Sequence, residues 1–219
     1  MSTKQNKGPF QIRDIEVFAN EAAYFTIGLH KYIGKEILVD KAQLDFPSIK
    51  PLFTYIIEFI QDNKLQVKHG EKLSCFSWMI RLNDNGNYFE VYEYYPQMSG
   101  FIPGLKITQD LYAKQLFVCG QINVPPHFPL VDQIITIDPL IKTGKEAYLF
   151  RWKKQDPDSG WVVLSDSFDE KVSSFEQFTI GEFIAMRPES SMFLALPSGF
   201  KVMKAGKDAK IGYDNGMNV

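Results

Sequence analysis

Apolar residues recur along this chain with two different periods, and each period predicts an element. From Asp14 onward, Ile15, Phe18, Ala22 and Phe25 fall at three- and four-residue spacing. That spacing predicts a helix, and Asp14 and Glu16 suit the positive end of its dipole. Gly28 and Gly34 bracket a weaker stretch, followed by a short strand at 36–39. A second helix is expected near Ser48, with Ser48 as its N-cap and Pro51 in its first turn. Leu52, Ile56, Phe59 and Ile60 make its apolar stripe, and Asp62-Asn63-Lys64 ends it.

The period then drops to two. Phe76, Trp78, Ile80 and Leu82 share one parity, as in a strand with one buried face. Residues 83–87 carry turn chemistry, because Asn, Asp and Gly tolerate positive φ, and 88–95 is the returning strand. Residues 96–104 hold two prolines and two glycines and read as a loop. Its apolar Met98, Phe101 and Ile102 either fold back onto the core or meet a partner. Thr108 is placed to cap a short helix through about Phe117. Pro125-Pro126-His127-Phe128-Pro129 reads as an extended linker and the domain boundary. Beyond it lie strands at 133–137, 146–152 and 161–165, the last two joined by a polar turn at 153–160. A helix is expected over 173–186, using Phe175, Phe178 and Phe183, then a helical turn or strand at 191–196 and a final strand at 200–203. A polar tail follows from Gly206.

These elements predict an α+β fold with mostly antiparallel sheets and helices packed on one face. Two small subdomains are expected, 10–125 and 131–213, after a flexible tail at 1–9. If the 88–95 strand lies at a sheet edge, it offers a route to a homodimer.

Composition narrows the function. Net charge is −2, which excludes global attraction to nucleic acid or an anionic membrane. The apolar fraction of 45% and charged fraction of 23% are those of a globular chain. The 18 Phe, 10 Tyr and 3 Trp supply more aromatic surface than most chains of this length, for a core and for an interface. The start, 1–8, is polar with no apolar leader, and no apolar run reaches membrane-span length, so a cytoplasmic location is expected. Cys75 and Cys119 lack metal or redox spacing and read as free, buried thiols in a reducing compartment.

No recognised catalytic signature appears. His30, His69 and His127 lie in unrelated contexts, with no H-E-x-x-H, paired-cysteine, Walker A, dinucleotide or G-x-S-x-G motif. His30 and His69, each near a glycine, suit surface or capping positions. Asp138 and Asp158 have no partner that would make either a general base. No metal and no cofactor is expected. Cys75 with His127 stays open as a nucleophile–base pair, since such pairs form in space rather than in sequence.

Charge is organised in one place. Residues 156–182 carry Asp156, Asp158, Asp166, Asp169, Glu170, Glu176 and Glu182 against Lys171 as their one base. This is either a solvated face or a docking surface that steers a basic partner. Trp161, just after Asp158-Ser159-Gly160, is either a core residue at a strand start or an aromatic anchor among carboxylates.

The stretch from Glu146 to Trp161, EAYLFRWKKQDPDSGW, resembles a family of bacterial immunity proteins from polymorphic-toxin and type VI secretion loci. The likeness lies in a strand with Tyr and Arg, then an acidic turn and Asp-Ser-Gly-Trp. Later come Pro188, the apolar run 192–196, and Pro197-Ser198-Gly199-Phe200. It covers about residues 131–205. Two positions depart from the pattern: Ser165-Asp166-Ser167 stands where the family has Gly-Asp-Glu, and Trp152-Lys153 follows Arg151 in place of an acidic residue. The resemblance implies a non-enzymatic inhibitor that binds and neutralises a cognate toxin. Asp156, Asp158, Trp161, Asp166, Asp169 and Glu170 are the expected contacts, while Gly160, Pro197 and Gly199 set turns. The alternatives are a cysteine-dependent enzyme using Cys75 and His127, or a generic adaptor domain.

Overall fold

The computed structural model describes residues 10–41, 44, 46–95, 100–154, 156–171 and 174–218, except the side chains of 46–48. The chain divides into two compact units, Met1–Asp110 and Leu111–Val219. The first contains β1 (Phe10–Ile12), β2 (Ile15–Ala19), β3 (Ala23–Ile27), α1 (His30–Ile33), β4 (Glu36–Asp40), α2 (Phe46–Asp62), β5 (Glu71–Cys75), β6 (Trp78–Asp84), β7 (Tyr88–Tyr95) and β8 (Gly100–Pro103). The strands form one sheet in the order β1-β2-β3-β4-β7-β6-β5, with β8 also pairing β7. Among the described residues every pairing is antiparallel except β4 with β7. Leu52, Phe53, Ile56, Ile57 and Ile60 of α2 share one buried cluster with Ile15, Val17, Ile37, Ile80 and Leu82 of the sheet. The mixed α+β class with mostly antiparallel sheets is as the sequence predicts.

Several details correct the sequence reading. The helix expected from Asp14 is the β1-β2-β3 meander. Ile15, Val17 and Ala19 are buried in alternation with exposed Glu16 and half-buried Phe18, which is a period of two. Arg13 at φ 52° turns β1 into β2, and Asn20 Oδ1 accepts from the amides of Ala22 and Ala23 to close the next turn. The helical spacing of Ile15, Phe18, Ala22 and Phe25 was coincidental. Phe76 also leaves its expected strand: with φ 53° it sits in the tight turn between β5 and β6. Residues 100–103, expected in a loop, form β8, while Met98 lies outside the described residues, as does the Ser48 side chain. Strand β7 is paired by β4 and β8 on one edge and by β6 on the other, so it offers no free edge for a homodimer.

Helix α3 (Lys106–Gln121) begins two residues before Thr108 and contains the division between units. Its first amides are capped by a strand carboxylate. Glu93 of β7 accepts from Ile107 N at 2.9 Å, Thr108 N at 2.8 Å and Thr108 Oγ1 at 2.9 Å.

The second unit holds β9 (Ile134–Ile137), β10 (Ala147–Arg151), β11 (Asp158–Ser165), β12 (Glu176–Thr179), α4 (Ile180–Met186), β13 (Phe200–Met203) and β14 (Lys210–Tyr213). The sheet order is β12-β9-β11-β10-β13-β14, and among the described residues every pairing is antiparallel except β9 with β11. The proline-rich stretch 125–129 is not a free linker, and the division falls earlier, at Asp110/Leu111. His127 donates its amide to Ala195 O at 2.8 Å, and Phe128 packs on Tyr112 with ring centroids 5.6 Å apart. The helix expected over 173–186 opens as β12. The helix itself starts at Ile180, where Thr179 and Glu182 form a capping box. The polar tail supplies β14. Among the described residues no helix is long and apolar enough to cross a membrane.

Candidate functional site

Strands β10 and β11 make the centre of the second unit, paired from Ala147↔Ser165 to Arg151↔Trp161. Their inward positions, Leu149, Arg151, Trp161 and Val163, are buried. Arg151 is an unusual core residue. Its Nη1 donates to the carbonyls of His127 at 2.6 Å, Leu194 at 2.9 Å and Leu196 at 2.6 Å, and its guanidinium lies 5.4 Å from the Trp161 ring centroid. Burial pushes its pKa down to about 10, so it keeps its charge at neutral pH. One cation thereby ties three loop carbonyls to a central strand.

The Asp-Ser-Gly-Trp motif is structural throughout. Asp158 Oδ1 accepts from Gly160 N at 2.8 Å, and Ser159 Oγ donates to Ile134 O at 2.6 Å and accepts from Trp161 N at 3.2 Å. Gly160, at φ +79°, faces the Trp152 carbonyl so closely that a Cβ would lie 2.0 Å from its oxygen. Trp161 is fully buried and donates its indole N–H to Leu194 O at 3.0 Å. This corrects the expected anchor role: with no exposed surface, Trp161 holds the 194–196 turn and presents nothing to a partner.

The acidic run separates in space. Asp156 and Asp158 sit at the start of β11; Asp166, Asp169 and Glu170 follow its end. Eight residues of strand put the two groups about 23 Å apart. At the near end, Asp156 accepts from Gln133 Nε2 at 3.1 Å. Lys153, Lys154, Asp156, Asp158 and the exposed His127 line a small polar pocket there. Burial and the Arg151 charge lower the His127 pKa. At the far end, Asp166 accepts from Ser167 Oγ at 3.1 Å and Asp169 from Lys171 N at 2.9 Å. Glu176 pairs with Lys142, and Glu182 is used in the α4 cap, so neither is a spare charge.

Between the two ends lies a feature the sequence reading missed, running from Trp152, which donates its amide to Gly160 O at 2.8 Å, to Glu170. Phe150, Trp152, Val162 and Leu164 form the outward side of β10 and β11. With Phe168, Glu170 and Phe175 of the following segment they line an open, largely apolar groove of about 370 Å3. Phe168 and Phe175 pack together with centroids 5.3 Å apart. Trp152 is 42% exposed and Phe175 51%. The signal was present in EAYLFRW, where both parities of the strand are apolar or aromatic, the mark of a strand covered on two faces.

Elsewhere, buried polar groups are used to close turns. Asp138 accepts from Leu140 N at 3.0 Å, Ser165 N at 3.2 Å and Ser165 Oγ. Burial raises its pKa, but these hydrogen bonds outweigh it and the net shift is downward. Glu36 accepts from Thr26 Oγ1 at 2.7 Å and the amides of Gly28 and Leu29 at 2.8 and 3.1 Å, and lies 2.6 Å from His30 Nδ1. His69 Nδ1 accepts from Asp84 N at 3.1 Å. Cys75, in the first unit, is fully buried, and burial plus the Glu93 charge push its thiol well up. Its thiolate, the form a nucleophile needs, is disfavoured at neutral pH.

Residues 114–214, a little under half the chain, match the family model of the Imm33-like domain, an immunity-protein family. The stretch is the second unit almost entire. No curated protein and no solved structure matches the chain.

Proposed function

We propose that this protein binds and neutralises a cognate bacterial toxin by protein–protein contact and carries out no chemistry itself. The observation that carries the reading is the likeness of 114–214 to immunity proteins. Two features support it: the exposed apolar groove with acidic neighbours, and the buried, poorly ionised Cys75, which weakens the thiol-enzyme alternative. The contact set contracts from the six residues expected from sequence to Asp166, Asp169 and Glu170, since Trp161 is buried and Asp156 and Asp158 belong to the other end of β11. The toxin would be of the polymorphic, type VI-secreted kind and would be met in the cytoplasm.

The test is co-expression with the polypeptide encoded beside this gene. Growth rescue together with a co-purifying complex is expected. Neither rescue nor complex at micromolar concentration would sink the proposal.

A further inference from the structure

We infer that the toxin is gripped through the groove on the outward face of β10 and β11, and that its occupant is an apolar side chain carried on a basic segment. This deepens the neutralisation reading above and rests on it.

Among the described residues the groove lacks a cover of its own. Around β6, β7 and β8 the first unit also has aromatics on the outer side of its sheet, and it covers them with its own cations. Arg81 lies 4.3 Å from the Phe101 centroid and 5.8 Å from that of Tyr92, and Lys72 lies 5.8 Å from Phe101. In the second unit Trp152 and Phe175 stand 42% and 51% exposed, and among the described residues the one charged side chain in the groove lining is Glu170. Asp166 and Asp169 lie in the same segment. An aromatic cleft bordered by carboxylates is complementary to Lys or Arg beside a large apolar residue: the apolar group is desolvated in the groove while the base meets the acids and the ring faces. At about 370 Å3 the groove is sized for one or two such side chains. A second copy of this chain fits poorly, because a two-fold contact through this face would set Glu170, Asp169 and Asp166 against their own copies.

Trp152 replaces Trp161 as the anchor, and it brings its own probe. The other two tryptophans, Trp78 and Trp161, are 2% and 0% exposed, so quenching by added acrylamide reads Trp152. The experiment uses the full chain and the adjacent-gene toxin with its toxic activity disabled. In the wild-type complex, emission should shift to the blue and quenching should fall by at least half. Trp152→Ala and Phe175→Ser should each weaken binding 10- to 100-fold, and Glu170→Lys 3- to 10-fold. Phe117→Ser, 63% exposed on α3, should change it less than twofold. All four positions are exposed or line an open groove, and unchanged thermal melts confirm that the variants fold. Wild-type binding with unaltered Trp152 quenching, or with both aromatic variants within twofold of wild type, overturns the groove and leaves neutralisation standing. A wild-type chain that forms dimers broken by Trp152→Ala also overturns it. Failure of the wild-type chain to bind at all removes both readings.

Discussion

Two central strands, one in each unit, bury charges of opposite sign. In the first, Glu93 on a central strand is answered by donors, the amides of Ile107 and Thr108 and the Thr108 hydroxyl. In the second, Arg151 is answered by acceptors, three carbonyls from loops far off in sequence. Neither is an ion pair; each satisfies backbone groups that regular structure leaves over. The units differ again on their outer faces, where the first covers the aromatics of β7 and β8 with its own bases and the second leaves an aromatic groove beside acids. A buried charge in a strand is therefore weak evidence of chemistry. An uncovered sheet face is stronger evidence of recognition, because nothing in the fold itself requires it.

The comparison breaks first where a backbone approach is closest. Gly160→Ala sets a methyl 2.0 Å from a main-chain oxygen and strains φ +79°, so it should cost more than about 3 kcal/mol. Arg151→Met leaves carbonyls without their donor and should cost about 3–5 kcal/mol. Glu93→Gln keeps the shape and should cost about 1–2 kcal/mol. Urea denaturation of single-tryptophan versions separates the units, with Trp161 reporting on the second and Trp78 on the first. Arg151→Met costing no more than Glu93→Gln would show that the three carbonyls find other partners and that the cation is not the clamp.

Titration sharpens the same contrast. The Asp138 pKa is lowered in the folded chain, so its contribution is present above the ordinary carboxylate pKa and is lost as pH falls through the folded value. Burial raises the Glu93 pKa despite its hydrogen bonds, so its contribution is greatest below the ordinary value and is lost as pH rises through the folded one. Between about pH 5 and 3 the second unit should therefore lose stability that Asp138→Asn does not lose. The first unit should gain over part of that range, and Glu93→Gln should flatten the gain. Parallel pH curves for the two units, unaltered by either substitution, would contradict this.

Legibility followed the locality of the forces. The β6-turn-β7 hairpin and the strands of the second unit were readable, because period-two burial and Asn85-Gly86 turn chemistry act within a few residues. The β1-β2-β3 meander was not, since an accidental helical spacing competed with strand alternation and the deciding turns rest on Arg13 and Asn20, which are weaker signals than glycine or proline. Arg151 and Trp161 were visible as residues but not as core groups. Their partners, the carbonyls of Leu194 and Leu196, come from a loop more than thirty residues away, and pairings of that kind leave no local pattern. The groove was half legible: both parities of β10 are apolar, but only the fold shows that the second face stays open.

The smallest effect discriminates most finely. The acidic run is continuous in sequence but lies in two groups about 23 Å apart along β11. At physiological ionic strength charges are screened over about 8 Å, so a base seated beside Glu170 feels the 166–170 group more strongly than the 156–158 group. Paired reversal of Asp166 and Asp169 to Lys should slow association three- to tenfold at low salt and flatten its salt dependence, with little change in dissociation. Asp156→Lys, before the start of β11 and already accepting from Gln133, should leave the association rate within twofold of wild type. Stopped-flow mixing at about 20 and 200 mM salt, following Trp152, makes the comparison. Equal slowing by both reversals would mean that the partner spans the whole strand, and the contact would then have to include the polar pocket at 153–158 as well as the groove.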